Sequence, residues 1–189
     1  MQHRNIKRPL TNEEEHINII RGCKQKERKA QEALYKAYYK TMMTICLRYT
    51  KNEEDAVEVL NNGFLKVFQN IKRYEPGVAS LYTWIRTIVI NSCLDFIKKK
   101  RRTEEHHELN NALEVHVPAE VISKMKATEL LALIRTLPPS TAAVFNLYVI
   151  EGYNHKEIGK LLGISDGTSK WHLSEARKSL KIKMQDVNT

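Results

Sequence analysis

The chain has 189 residues, of which 42% are hydrophobic and 28% charged, so it can form one domain or two small ones with packed cores. Only seven Gly and five Pro are present, which excludes collagen-like and low-complexity proteins. The net charge of +9 favours a polyanionic partner, nucleic acid above all.

Helical periodicity runs through nearly the whole chain, and no segment alternates as a β-strand does. Apolar residues recur every three or four positions over 31–49 and again over 53–71. Thr50 or Asn52 can cap the second helix, and the acids at 53–55 favour its positive N-terminal end. The two predicted apolar stripes are Leu34, Tyr38, Met42, Ile45 and Tyr49, and Val57, Leu60, Phe64, Val67 and Ile71.

A third helix is predicted after the loop at Pro76–Gly77. Ser80 can cap this helix, and residues 81–97 are apolar almost all round, which suits the centre of a bundle. The helix ends in five consecutive cations, residues 98–102.

The composition changes over 103–123, which contains five Glu and neither Lys nor Arg. We interpret this segment as a flexible acidic linker. The sequence therefore predicts an all-α fold of two small helical domains, at 20–102 and 124–185.

The second domain contains a predicted helix-turn-helix. Asn154 precedes Glu157 at capping-box spacing, and Gly163 can adopt the positive φ of a sharp turn. Ser165 can then cap the last helix. Gly159 is small where a crossing helix must come close.

The last helix has one buried and one exposed face. Its predicted buried stripe is Ser169, Leu173, Ala176 and Leu180, and its opposite face carries Gly167, Lys170, Trp171, Ser174, Arg177 and Lys178. A helix with such a cationic, hydrogen-bonding face fits a DNA major groove. Trp171 would meet base edges or sugar there, and the alternative is a surface Trp packed on a neighbour.

Residues 137–180, which include "EGYNHKEIGKLLGIS" and "ARKSL", resemble region 4 of extracytoplasmic-function (ECF) sigma factors. Independently, "DAVEVLNNGFLKVFQNI" and "SLYTWIRTIVINSCLDFIKKKRR" resemble region 2 of the same family. Gly159 departs from the Ala that is usual in the family. The resemblance implies an alternative sigma factor that binds core RNA polymerase, holds the −10 strand through region 2 and recognises the −35 duplex through region 4.

The resemblance also implies site residues. Those for the −35 element are Thr168, Lys170, Trp171, Ser174, Arg177 and Lys178. Those for the −10 element are Lys72, Arg73, Tyr74, Tyr82, Arg86, Asn91, Lys98, Lys99 and Arg101. Those for core polymerase are Asp55, Glu58, Asn61 and Asn62, the last two standing where the family usually has Gln and Glu.

Physical chemistry agrees with the −10 assignment, because aromatic, cationic and amide groups together suit unstacked bases. We expect Trp84 in the core, and the alternative is a stacking platform for bases. The cations at 98–102 either contact phosphates or form a solvated helix end.

The resemblance implies further partners: promoter DNA and an anti-sigma factor, with a membrane-anchored one among the options. We expect a monomer when the protein is free, no cofactor and no metal; "HHELNNALEVH" lacks the spacing of a metalloprotease motif. No catalytic cluster is evident, so we predict that the protein is not an enzyme. The alternatives are a dimeric helix-turn-helix regulator, which leaves the first domain unexplained, and a DNA-processing enzyme.

Cys23, Cys46 and Cys93 are far apart, without CxxC spacing, which predicts buried free thiols in a reducing compartment. The N-terminal sequence lacks the apolar core of a signal peptide, and no run approaches the roughly 20 apolar residues of a membrane span. We therefore expect a cytoplasmic protein without membrane insertion.

Overall fold

The computed structural model describes residues 13–104 and 127–186. Eight α-helices lie in these ranges: α1 (Glu13–Lys24), α2 (Arg28–Tyr49), α3 (Glu53–Asn70), α4 (Leu81–Glu104), α5 (Ala127–Arg135), α6 (Pro139–Phe145), α7 (His155–Leu162) and α8 (Asp166–Asp186). A 3-10 turn, Ile71–Arg73, follows α3, and a π-helical turn, Asn146–Ile150, follows α6.

The predicted all-α class is confirmed, since these two ranges contain no strand. Helix α1 was not predicted as a separate element. Helix α4 runs through the five cations to Glu104, so the first two residues of the predicted linker are helical. The rest of that linker, 105–123, lies outside the described residues, and the domain limits 20–102 and 124–185 stay a prediction.

Contacts divide the chain into two compact units. The first contains residues up to Cys46 together with Val57–Ser92, and the second contains Leu47–Ala56 and the residues from Cys93 onward. Helices α2, α3 and α4 therefore each contribute to both units.

The first unit is built on the apolar stripes that periodicity predicted. Leu34, Tyr38 and Met42 of α2 are buried, as are Leu60, Phe64 and Val67 of α3, whereas Val57 is half-buried. The prediction of an apolar surface all round α4 is wrong, because Thr83, Thr87, Asn91 and Asp95 form one exposed stripe along the helix.

The core of the second unit gathers the helix-turn-helix. Phe145 and Leu147, at the end of α6 and in the π-helical turn, are fully buried together with Ile158 of α7. Pro138 and Pro139 start α6, because a proline in the first turn loses no intrahelical hydrogen bond.

All three cysteines are buried thiols outside any disulfide, as predicted. Burial raises the pKa of the Cys23 thiol to about 11, and the Glu27 carboxylate adds to the effect. This thiol is therefore uncharged and unreactive at neutral pH. In 13–104 and 127–186, no helix has both the length and the apolar character needed to cross a bilayer.

Candidate nucleic-acid and polymerase interfaces

The first helix of the predicted helix-turn-helix begins at a complete capping box. The Asn154 side chain accepts from the Glu157 backbone N–H at 3.0 Å, and the Glu157 carboxylate accepts from the Asn154 N–H at 2.8 Å. Two backbone donors that the helix leaves unpaired are thus satisfied, which fixes where α7 starts.

The turn between α7 and α8 depends on two glycines. Gly163 has φ of 69°, and its N–H donates to the Gly159 carbonyl at 2.8 Å. A Cβ at Gly159 would lie 2.8 Å from the Ile164 carbonyl oxygen, so the close neighbour of Gly159 is the turn itself rather than a crossing helix. Ser165 then caps α8, accepting from the Thr168 N–H at 2.9 Å as predicted.

Gly163→Ala should lower the free energy of unfolding by about 1–2 kcal/mol, because only backbone strain opposes the added Cβ. No atom lies within 4 Å of that Cβ position. Gly167→Ala is the matched control: it adds the same methyl group at the second residue of α8, where φ is not positive and alanine should not destabilise the fold. Urea unfolding followed by circular dichroism measures both, and equal effects would contradict a strained turn.

Helix α8 has the two faces predicted for a recognition helix. Ser169, Leu173, Ala176 and Leu180 are buried, and Met184 extends the stripe. Of the side chains proposed for the −35 element, Thr168, Lys170 and Trp171 are exposed, whereas Ser174, Arg177 and Lys178 are half-buried.

The outward side chains of α8 have local partners. Lys170 forms an exposed ion pair with Asp166 at 3.1 Å, which a DNA base can displace at little cost. Trp171 is 39% exposed, and its ring meets His172 edge-on, with centroids 4.8 Å apart. Trp171 therefore presents an accessible surface while resting on its neighbour.

Two histidines, which the sequence-based analysis did not single out, join α8 to other elements. His155 Nδ1 lies 2.9 Å from the buried Ser169 hydroxyl, and His172 Nδ1 lies 3.0 Å from the buried Thr141 hydroxyl. The sequence carried one signal for such a contact: Ser169 lies within the predicted apolar stripe, and a buried hydroxyl requires a hydrogen-bonding partner.

The residues proposed for the −10 strand lie on the 3-10 turn after α3, at Tyr74 and along α4. Lys72 and Arg73 are exposed on the 3-10 turn, and Asn91 is exposed on α4. Tyr82 and Arg86 are half-buried on α4. These five side chains are at least partly accessible to a ligand.

Tyr74, also proposed for the −10 strand, is only 5% exposed. Its hydroxyl donates to the Ala79 carbonyl at 3.2 Å, which closes the loop between them, and Lys24 of α1 donates to the Tyr74 carbonyl at 3.1 Å. The ring packs on the half-buried Trp84, with centroids 5.5 Å apart. These contacts engage the ring and the hydroxyl of Tyr74 within the chain, and its place among the −10 residues stays a prediction.

The cations at the end of α4 differ in their surroundings. Lys98 is half-buried and Lys99 is exposed, while Lys100 pairs with Asp55 at 3.3 Å. The structure describes the backbone of Arg101 but not its side chain.

The residues proposed for the polymerase lie on α3. Glu58, Asn61 and Asn62 are exposed, and the Asn61 amide oxygen accepts from the Tyr35 hydroxyl at 3.0 Å. Asp55 is less exposed than predicted, because it pairs with Lys100 and takes part in the cap at Asn52. Of the two acids on the proposed docking face, Glu58 is thus the more exposed one.

Within the described residues, no group of three or more His, Cys, Asp or Glu side chains could hold a metal ion. The segment "HHELNNALEVH" lies outside these residues.

Two family models match the chain, and together they cover most of it. Sigma-70 region 2 matches residues 34–103, and Sigma-70 region 4 matches residues 127–180. The order and positions agree with the two blocks of resemblance found in the sequence.

Curated relatives point to the same family. The ECF RNA polymerase sigma factor SigE of Mycolicibacterium smegmatis is 26% identical over 142 residues, covering 72% of this chain and 54% of that protein, so the chain spans about half of that relative. The ECF RNA polymerase sigma factor SigM of Mycobacterium tuberculosis is 23% identical over 166 residues, covering 86% and 81%. Among solved structures, the sigma factor RpoE in complex with the anti-sigma factor NepR from Bartonella quintana aligns with a TM-score of 0.49 at 15% identity, covering 82% of this chain and 96% of that one.

Proposed function

We propose that this chain directs core RNA polymerase to promoters through two separate DNA contacts. The proposal follows from its family, because the chain belongs to the ECF sigma factors of the sigma-70 family. Members of this family are alternative sigma factors that direct transcription initiation. The chain supplies DNA recognition and polymerase docking, while the polymerase supplies the chemistry, so we propose no catalytic role for the chain itself.

The observation that carries the proposal is the two-faced helix α8. Its buried stripe anchors the helix in the second unit, and the capped turn at Gly163 sets the angle at which it leaves α7. The accessible cations Lys170 and Lys178, with Trp171 between them, suit the edges and backbone of a DNA major groove. We assign −35 recognition to this face.

We assign the −10 strand to the loop that follows α3 and to the N-terminal half of α4. Lys72 and Arg73 provide charge for the phosphates, and Arg86 and Asn91 provide hydrogen-bond donors for unstacked bases. We assign Tyr74 and Trp84 to the support of this loop, because they pack against each other.

We assign core polymerase to the exposed face of α3, with Glu58 as its charged centre. Asn61 and Asn62 lie three and four residues further on, so they share this face with Glu58. We further propose an anti-sigma factor as a regulatory partner and the cytoplasm as the location, both by analogy with the family.

The test is reconstitution with purified core polymerase. The chain should co-purify with core polymerase and support run-off transcription from a subset of genomic fragments on which core alone is inactive. The active fragments then define the −10 and −35 elements. Specific DNA binding without core, combined with no transcription in its presence, would instead indicate a conventional helix-turn-helix regulator.

A further inference from the structure

Ser169 places a polar group where α8 otherwise buries apolar ones. Its side chain is fully buried, beside Leu173 and Ala176 in the same stripe. A buried hydroxyl costs free energy unless it is hydrogen-bonded. His155, the first residue of α7, provides the bond at 2.9 Å.

The His155 ring is itself held on a second side. It stacks on Tyr148 of the π-helical turn, with centroids 4.6 Å apart and an angle of 24° between the planes. The Arg177 guanidinium lies 6.0 Å from the centroid of the same tyrosine ring. His155 therefore connects three elements: the turn after α6, helix α7 and helix α8.

The second imidazole bond acts one turn further along α8. His172 of α8 contacts the hydroxyl of Thr141, which lies in α6 and is 2% exposed. Helix α8 is thus tied to α7 at Ser169 and to α6 at His172. Two anchors on different partners, three residues apart, restrict rotation of a helix about its axis.

Lys170 and Trp171 lie between these anchors, so a small rotation at Ser169 moves both side chains relative to a bound base. We propose that His155 is a positioning residue for −35 recognition, because its contacts with Ser169 and Tyr148 fix the rotation of α8. This inference rests on the proposed role of α8 in DNA recognition and deepens it. His155 itself touches no base in this scheme.

In the tautomer in which His155 Nδ1 accepts from the Ser169 hydroxyl, protonation of the ring removes the acceptor of this bond. Burial lowers the pKa of His155 below its ordinary value, and Lys170 and Arg177 act in the same direction, while the Asp166 carboxylate opposes them. Neutral His155 is therefore the form that the fold favours. Its contribution is complete above the unfolded pKa of about 6.5 and is lost as pH falls towards the lower folded value.

The test measures promoter discrimination by reconstituted holoenzyme, as the ratio of affinities for the intact −35 element and for singly substituted ones. Ser169→Ala and His155→Phe, which keeps a ring for stacking on Tyr148, should each lower this ratio about two- to tenfold, the range of one lost hydrogen bond. The double variant should be no worse than the poorer single variant, because both remove the same interaction. Ser179→Ala, the same change elsewhere on α8, should have no effect.

The pH profile separates positioning from general stability. As pH falls from about 8 through the lowered pKa of His155 in the folded chain, discrimination by the wild-type chain should fall relative to that of His155→Phe, in which the group is absent. Comparing the wild-type and variant holoenzymes at the same pH cancels any effect of pH on the polymerase itself. If His155→Phe fails to fold, Ser169→Ala serves as the reference, because it lacks the bond that protonation perturbs.

Three outcomes are distinguishable. If Lys170→Ala flattens the −35 profile while His155→Phe and Ser169→Ala keep it, the positioning role is wrong and the role of α8 stands. Additive effects of the two single variants would also overturn the positioning role. If Lys170→Ala itself leaves the profile unchanged, the proposed function of α8 fails.

Discussion

Lys170→Ala or Trp171→Ala should flatten the dependence of promoter binding on −35 sequence, with a loss of about 1–3 kcal/mol of discrimination at the base that each residue reads. Both side chains are exposed within one turn of α8, opposite its buried stripe. In the wild-type chain, Lys170 must leave Asp166 before it can contact a base, and this costs at most about 1 kcal/mol because the ion pair is exposed. The ion pair therefore reduces the expected loss of discrimination only slightly. Binding of holoenzyme to a panel of −35 variants, measured by fluorescence anisotropy, gives the profile.

Arg177→Ala is the matched control on the same helix. Arg177 lies a turn beyond Trp171 and suits a phosphate, so its loss should weaken binding to all sequences alike. The slope of log affinity against log salt should fall by about one unit, while the shape of the profile is kept. Circular dichroism establishes that each variant is folded. A full profile for Trp171→Ala would show that Trp171 is a packing residue, held by its contact with His172.

Glu58→Lys should weaken binding to core polymerase roughly tenfold or more at moderate salt, if the exposed face of α3 docks there. The structure selects Glu58 over Asp55 for this experiment. A lysine at position 55 would face Lys100 and oppose the positive helix end, so it would disturb the fold as well as the interface. Glu58 is exposed in the middle of the docking face, and its reversal leaves the core intact.

Glu75→Lys provides the control for net charge. Residue 75 is exposed in the loop before α4, so its reversal opposes no helix end and lies outside the docking face on α3. Anisotropy titration of labelled chain with core polymerase compares the two variants. Equal affinities would argue that polymerase binds elsewhere, and an equal loss in both would indicate long-range charge rather than a specific contact.

Asn61→Asp should increase the affinity for core polymerase in the same anisotropy assay. It adds a carboxylate to the docking face and should tighten polymerase binding, while the Tyr35 hydroxyl can still donate to the new side chain. Unchanged or weaker binding would show that the amide is preferred at this position.

The sequence by itself determined most of the helices after α1, together with their caps and most of their buried faces. These features depend on residues three or four apart, so periodicity, Asn154, Ser165 and Gly163 could predict them locally. Local periodicity failed for α4, whose exposed polar stripe is sparse among many apolar residues. Motif spacing also identified the family, because two blocks in the right order are specific even at low identity.

Only the tertiary structure decided which polar groups are available to a partner. Tyr74 fits a base contact by composition, but packing against Trp84 removes it from the surface. Asp55 is occupied by Lys100, 45 residues away, and Ser169 by His155, 14 residues away. Such pairings join separate helices, and because neither partner carries a local signal of the other, no periodicity or spacing rule could predict them.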